Sequence, residues 1–422
     1  MRFISPANSP YSPWHVGLVL LAFLLFGWAI TTHSRTPMSV GLIGLSAFSI
    51  FRVEDRGFPV RAWAGLPAAL TRYLRRPDYA LPAILLVAYV ASLAWSGDRA
   101  YAFDRLRYAL QAWAIPCLFF VLAPIFRRWR EPLTWALILF GVVGAIGVGA
   151  YAMTNAEALI AALGQGRAVP SPVGHVHFSA YCAFAGTLAF YRLFKPEASG
   201  GSRLFGGLAF FILATSLHLV AVRTGLVMLY VGLVVVAFRL SLKRVSPPLA
   251  TVVTGTLLLL GIVVARQVPS VARKIDYTLY SLGRFGETDM VSLSDGGRVL
   301  SLRAGIAAVR DQPMLGASRV GIGRYVREWY DDHGLPDAHH LPTTQFIFSW
   351  AHAGLLGLLG SLACVFGALA TRTWWRTPLL LEFVLMTALW CLVETPFESA
   401  SGGGLALLMI YLTKVGPEGN VA

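Results

Sequence analysis

Apolar runs of bilayer-crossing length alternate with short polar segments over most of the chain, as at 14–30, 79–95, 133–153, 204–222 and 249–265. A helix needs ~20 mainly apolar residues to cross the hydrocarbon of a bilayer, so the pattern predicts a polytopic bundle. Twelve helices are expected, at approximately 14–31, 36–51, 79–96, 108–126, 131–153, 175–194, 204–221, 223–240, 249–266, 343–370, 377–395 and 401–415. The pattern collapses once, between Arg266 and Pro342. The chain therefore divides into a nine-helix segment (1–266), a polar loop (267–342) and a three-helix segment with a short tail (343–422). The expected class is an all-α integral membrane protein with one large, partly helical outer loop.

Two short helices are expected inside that loop. Asp295-Gly296-Gly297 offers a cap before Arg298, and Val299, Leu302, Ile306 and Val309 then recur at near-helical spacing until Asp311-Gln312-Pro313. The second covers 323–332 and stops at Gly334 and Pro336, with Arg324/Glu328 and Arg327/Asp331 spaced for ordinary surface support.

Composition agrees with a membrane class: 56% of residues are hydrophobic and 13% charged, and the mean hydropathy is +0.63. The net charge of +14 is concentrated in alternate connections, at 52–76, 127–130, 192–203, 239–244 and 372–376 and at Lys414. Basic short loops stay on the cytoplasmic side, which puts both termini inside and the large loop outside. The charge is thus a topology signal; a nucleic-acid partner is not expected, whereas membrane lipids are. The segment 97–107 is the exception, with Arg99, Arg105 and Arg107 offset by Asp98 and Asp104. No small-residue cleavage site follows the first apolar run, which reads as a retained span. All four cysteines fall in expected spans, so no disulfide framework is indicated.

Three polar insertions carry candidate chemistry. Arg223 interrupts a continuous apolar stretch that runs from about 204 to 240, too long for one span, so two helices meet there at the outer surface. A charge in that position is a functional-site candidate, with a snorkelling turn residue as the plain alternative. A second insertion holds Arg167, His175 and His177; the two histidines are two apart and point to different helix faces, so a shared metal is not expected.

The third is Asp337-Ala338-His339-His340-Leu341-Pro342, where the loop re-enters the membrane. It supports three readings. One is a metal site drawn from Asp331, Asp332, His333, Asp337, His339 and His340, although no HExxH or paired-cysteine spacing is present. Another is a general base, since histidine titrates near pH ~6.5 and arginines hold an anionic partner. The last is punctuation, because proline favours the first turn of a helix.

The layout and motifs together resemble the O-antigen ligase/polymerase superfamily of integral-membrane glycosyltransferases. The motifs are Val222-Arg223-Thr224-Gly225 between two helices, Gly297-Arg298 in the loop, Pro313-Met314-Leu315-Gly316 followed by Gly321 and Gly323, and His339-His340-Leu341 with Gln345 and Gly354-Leu355-Leu356-Gly357. The residue after the histidine is not the family's Asn, which leaves both His339 and His340 as the candidate catalytic pair.

The resemblance implies a GT-C-like bundle in the bacterial inner membrane with its active site facing the periplasm. It implies an O-antigen ligase activity in lipopolysaccharide biosynthesis. The donor would be undecaprenyl-diphosphate-linked O-antigen and the acceptor a sugar hydroxyl of lipid A–core, with no metal and no cofactor. His339 or His340 would take the hydroxyl proton, Arg223 and Arg298 would hold the diphosphate, and a single displacement would invert the anomeric centre. Arg303, Arg310, His177, Arg167 and Gln345 are the further expected substrate contacts. An O-antigen polymerase, a protein O-oligosaccharyltransferase and a transporter or flippase of lipid-linked glycans are the alternatives. The short tail speaks against the oligosaccharyltransferase, and the lack of an internal repeat against the transporter.

Overall fold

The computed structural model describes residues 11–32, 35–53, 60–156, 174–195, 197–242, 245–283, 294–317, 321–335, 339–371 and 374–415. Arg167 and Asp337 lie outside them. In chain order the described helices are α1 (Pro13–Thr32), α2 (Arg35–Ile50), α3 (Leu66–Leu74), α4 (Pro77–Ala80), α5 (Ala83–Ser92), α6 (Arg99–Val121), α7 (Ala123–Thr154), α8 (His175–Phe194) and α9 (Gly200–Val220). They continue as α10 (Arg223–Ser241), α11 (Pro247–Arg266), α12 (Pro269–Gly283), α13 (Ser294–Asp311), α14 (Ile322–Asp332), α15 (Gln345–Phe366), α16 (Leu380–Val393) and α17 (Ala400–Lys414). Among the described residues the fold is all-α apart from one antiparallel pairing of Phe51–Val53 with Val60–Ala62.

Among the described residues, four helices are long and apolar enough to cross a membrane: Ala123–Thr154, Gly200–Val220, Arg223–Ser241 and Gln345–Leu369. Shorter apolar helices cover Pro13–Ala29, Thr36–Ile50, Ala83–Ser92 and Leu380–Val393. Large apolar side chains such as Leu21, Ile43, Val143, Phe211 and Leu259 point outward, as a lipid-facing surface requires.

Three local differences from the sequence reading have physical causes. The basic stretch 127–130 is not a loop: it lies inside α7, which starts with Pro124 in its first turn and runs on through Pro132, because Arg and Glu propagate a helix well. The expected span at 79–96 is split into α4 and α5, with Pro82 at the N-cap of α5. The polar loop holds a third helix, α12, that averaging over hydropathy hides; Pro269 begins it and Val271 is its buried anchor.

Helix α17 lies at the centre. Every residue from Ser401 to Thr413 is buried, and the helix packs against α6, α1, α16 and α8. Helix α10 closes on α8 through Gly225 and Gly232, seven residues apart, where an added Cβ would stand 2.5 Å from Ser179 Cβ and 2.5 Å from Thr187 Oγ1. Small residues at such a seam allow the close approach that drives helix association in lipid.

Ion pairs mark the two ends of the bundle. At one end, Arg76 and Lys414 hold Asp78, Arg239 holds Glu382, and Arg192 holds Glu131. At the other, Arg223 holds Asp295, Arg298 holds Glu394, and Arg105 faces Glu398. Helix α10 joins the two belts, since Arg223 and Arg239 are sixteen residues or about 24 Å apart along its axis.

Helix α15 is kinked at Ala353–Gly354, where Gly354 takes φ +68° and ψ −159°. The turn Pro313–Gly316 plugs the kink: Leu355 N–H donates to Met314 O at 3.3 Å, and Trp350 Nε1 to Pro313 O at 2.8 Å. A Cβ on Gly354 would sit 2.0 Å from Met314 O. Gly354→Ala is therefore expected to cost about 3 kcal/mol or more through backbone strain and overlap. Gly147→Ala, with nothing within 4 Å of the new Cβ, is the neutral control; thermal unfolding in detergent compares the two.

Candidate active site

The end of the bundle that carries Arg223, Arg298 and Glu398 is assembled from chain segments far apart in sequence. Arg223 is the first residue of α10, and its guanidinium fork grips Asp295 at the start of α13, with Nη1–Oδ2 at 2.7 Å and Nη2–Oδ1 at 2.6 Å. Nη1 also donates to Thr278 Oγ1 of α12 at 2.8 Å. One turn into α13, Arg298 Nη2 donates to Glu394 Oε1, just beyond α16, at 2.7 Å. Burial and the neighbouring Arg223 push the Lys274 ammonium of α12 below its ordinary value, against the pull of Asp295. His175, at the first turn of α8, stands within the electrostatic reach of both Lys274 and Arg298. Four cationic or proton-binding side chains thus share one region of the bundle end.

The two histidines of the re-entry segment part company. The ring of His340 lies beside the start of α13, so close that a Cβ on Gly297 would meet its Cδ2 at 3.4 Å and its Nε2 at 3.5 Å. Gly297 precedes Arg298, so His340 belongs to the arginine region. The ring of His339 turns instead to Tyr330 of α14, edge to face at 6.4 Å between centroids. Both histidines are exposed. Among the described residues no group of three His, Cys, Asp or Glu stands where it would hold a metal ion.

Immediately after His340 the chain enters a cleft of about 230 Å³. Its polar walls are Arg105, His177, Thr343, Glu394, Thr395, Glu398 and Ser399, and its apolar walls are Leu341, Pro342, Phe348 and Pro396. His177 Nε2 lies 3.0 Å from Ser399 Oγ, and its ring packs on Trp390. Ser399 in turn caps α17, accepting from Gly402 N–H at 3.0 Å. The cleft floor is therefore fixed to the most buried helix of the bundle.

Gln345, expected to touch substrate, is fully buried at the start of α15 and already satisfied. Its Nε2 donates to Ser349 Oγ at 2.9 Å and Glu398 Oε1 at 3.1 Å, while its Oε1 accepts from Phe397 N–H at 2.9 Å. It positions Glu398 from behind the cleft. Arg303 and Arg310 are exposed on α13 and do not line the cleft.

The sequence does not single out Glu394, Glu398 or His352, and it offers Arg105 only as part of a charge-balanced loop. Glu-Thr-Pro-Phe-Glu-Ser, 394–399, was the available signal: two acids around a proline, wedged between apolar runs, sit where a carboxylate is expensive. His352 had no comparable signal. It lies within α15 with Tyr89, Tyr101 and Phe348 around its ring, at 4.8, 5.8 and 6.0 Å between centroids.

Burial pushes the Glu398 carboxyl above its ordinary value of 4.5, although Tyr89, Gln345 and Arg105 pull the other way. A carboxyl raised on folding adds stability that is complete below its unfolded value and is lost as pH rises through the folded one. The stabilising contribution of Glu398 is expected to decline as pH rises above about 4.5, and Glu398→Gln, uncharged throughout, to remove that part of the pH dependence of the unfolding midpoint. Identical slopes for the two proteins would remove Glu398 from the titration.

Comparison with protein-family models and with curated proteins finds no match for this chain.

Proposed function

We propose that this protein is an inner-membrane glycosyltransferase, an O-antigen ligase, that moves a glycan from undecaprenyl diphosphate to a sugar hydroxyl of lipid A–core at the periplasmic face. The observation that carries this reading is the meeting of Arg223, Arg298 and His340 at one end of an apolar bundle, with a polar cleft opening beside them. The family-like motifs noted in the sequence supply those three positions.

The chemistry follows from the side chains. The bond from the anomeric carbon to the diphosphate oxygen breaks, and the lipid diphosphate leaves with the bonding electrons. Guanidinium forks match phosphate oxygens in pairs and stay charged at a half-dry surface. Arg223 and Arg298 each hold a carboxylate, and their side chains are 38% and 34% exposed. The diphosphate would compete with Asp295 and Glu394 for the same donors. The acceptor hydroxyl attacks the anomeric carbon from the opposite side, inverting it, and His340 takes the proton. The loop helices α12 to α14 would cover the site and limit water, the competing nucleophile. The scheme uses no nucleotide sugar, metal or cofactor. The expected topology has twelve spans, the polar loop outside and both termini in the cytoplasm.

An O-antigen polymerase would share the donor and differ in its acceptor. A deletion separates the two readings in cells: loss of a ligase leaves lipid A–core unextended while lipid-linked polymer accumulates. Loss of a polymerase leaves core carrying a single repeat, and full-length lipopolysaccharide in the deletion strain would overturn both.

A further inference from the structure

The cleft beside His340 has a feature that the transfer scheme leaves unused. Glu398 is 8% exposed, and its two carboxylate oxygens are treated differently. Oε1 accepts from Tyr89 Oη and from Gln345 Nε2. Oε2 has no hydrogen-bond partner among the described residues, and the nearest cation, Arg105 Nη1, is 3.9 Å away. A buried carboxylate oxygen without a donor is costly. Because Glu398 lines the cleft, a donor that enters the cleft supplies what Oε2 lacks.

The walls select the kind of donor. Glu394 and Glu398 together repel a phosphate, which is drawn instead to the arginines. The hydroxyls of Thr343 and Thr395 and the guanidinium of Arg105 suit a ligand with many hydroxyls. Phe348, Pro342 and Pro396 give an apolar wall for the C–H face of a ring. The volume, about 230 Å³, is below the roughly 300–1,000 Å³ typical of sites for drug-sized ligands and corresponds to about eight waters at ~30 Å³ each.

We infer that this cleft is a subsite for one sugar ring and that Glu398 Oε2 accepts a hydrogen bond from one of its hydroxyls. The inference rests on the glycosyltransferase reading, and within it the ring is the terminal sugar of the acceptor. It makes Glu398 a specificity-determining residue of the acceptor side, separate from the arginines that serve the donor.

Glu398→Gln tests this with little disturbance. The amide oxygen keeps the bonds from Tyr89 and Gln345, while an NH₂ replaces the accepting Oε2 and presents a donor to a donor. With lipid-diphosphate glycan and lipid A–core, the apparent KM for lipid A–core is expected to rise at least about tenfold, the loss of one hydrogen bond to a charged group. Equilibrium binding of the donor alone is expected to stay unchanged. An unchanged acceptor KM, or an equal loss in donor binding, would overturn the inference.

Binding of a lipid-free core oligosaccharide, followed by saturation-transfer NMR, gives a reading independent of transfer. If wild type binds it and Glu398→Gln does not, the subsite stands even where no transfer occurs and the ligase reading has failed. If neither protein binds it, or both bind equally, the subsite fails whatever the transfer assay shows. Thr343→Trp, which fills the cleft from its half-buried rim, is expected to abolish the same binding. It serves in place of Glu398→Gln should that variant fail to fold, and retained binding there also counts against the subsite.

Discussion

His340→Ala is expected to lower glycan transfer by roughly 10²–10⁴-fold, the usual loss when a positioned proton acceptor is removed. His339→Ala is expected to keep most of its activity. The sequence offered the two neighbours as a pair; the structure separates them. Only His340 lies against Gly297, next to Arg298, whereas His339 packs on Tyr330. Both are exposed, so neither substitution opens a cavity, and unchanged unfolding midpoints would tie the loss to chemistry. The measurement is initial transfer rate in proteoliposomes at saturating donor and acceptor. A large loss in His339→Ala with His340→Ala near wild type would reverse the assignment.

Arg298→Ala carries the second large effect. Loss of one preorganised donor to developing charge typically costs about 10²–10³-fold in turnover, and Arg298→Lys is expected to recover only part of it, because an ammonium lacks the guanidinium fork. The substitution also strands Glu394, whose carboxyl would remain half-buried without its cation. Removing one partner of such a pair leaves an uncompensated charge and destabilises the fold. Arg298→Ala/Glu394→Gln separates the two consequences: stability should return while transfer stays low. Restored transfer in the double variant would show that Arg298 serves only to neutralise Glu394.

Part of the bundle is legible because lipid imposes a length rule on apolar runs: the expected helices 204–221 and 223–240 lie within a few residues of α9 and α10. Arg223 stood out for the same reason, as a charge where two such runs meet. What averaging over hydropathy conceals was missed: the amphipathic helix α12, the helical course of 127–130, and the kink at Gly354 whose cause is a distant turn. The site was only half legible. Its arginines and histidines carry motifs, but Glu394 and Glu398 become partners only once α16 and α17 are folded back beside α13 and α15. Gln345 shows the converse: the sequence offers it as a substrate contact, and the fold buries it with its amide bonded to Glu398, Ser349 and Phe397.

The most direct measurement of the central claim is transfer by the purified protein reconstituted in liposomes with lipid-diphosphate-linked glycan, offered lipid A–core and a second lipid-linked glycan together. The ligase account predicts that the glycan appears on lipid A–core, that lipid diphosphate is released in equal amount, and that His340→Ala and Arg298→Ala form both products at least about a hundredfold more slowly. Elongation of the lipid-linked glycan with lipid A–core unmodified, or wild-type activity in both variants, would contradict it.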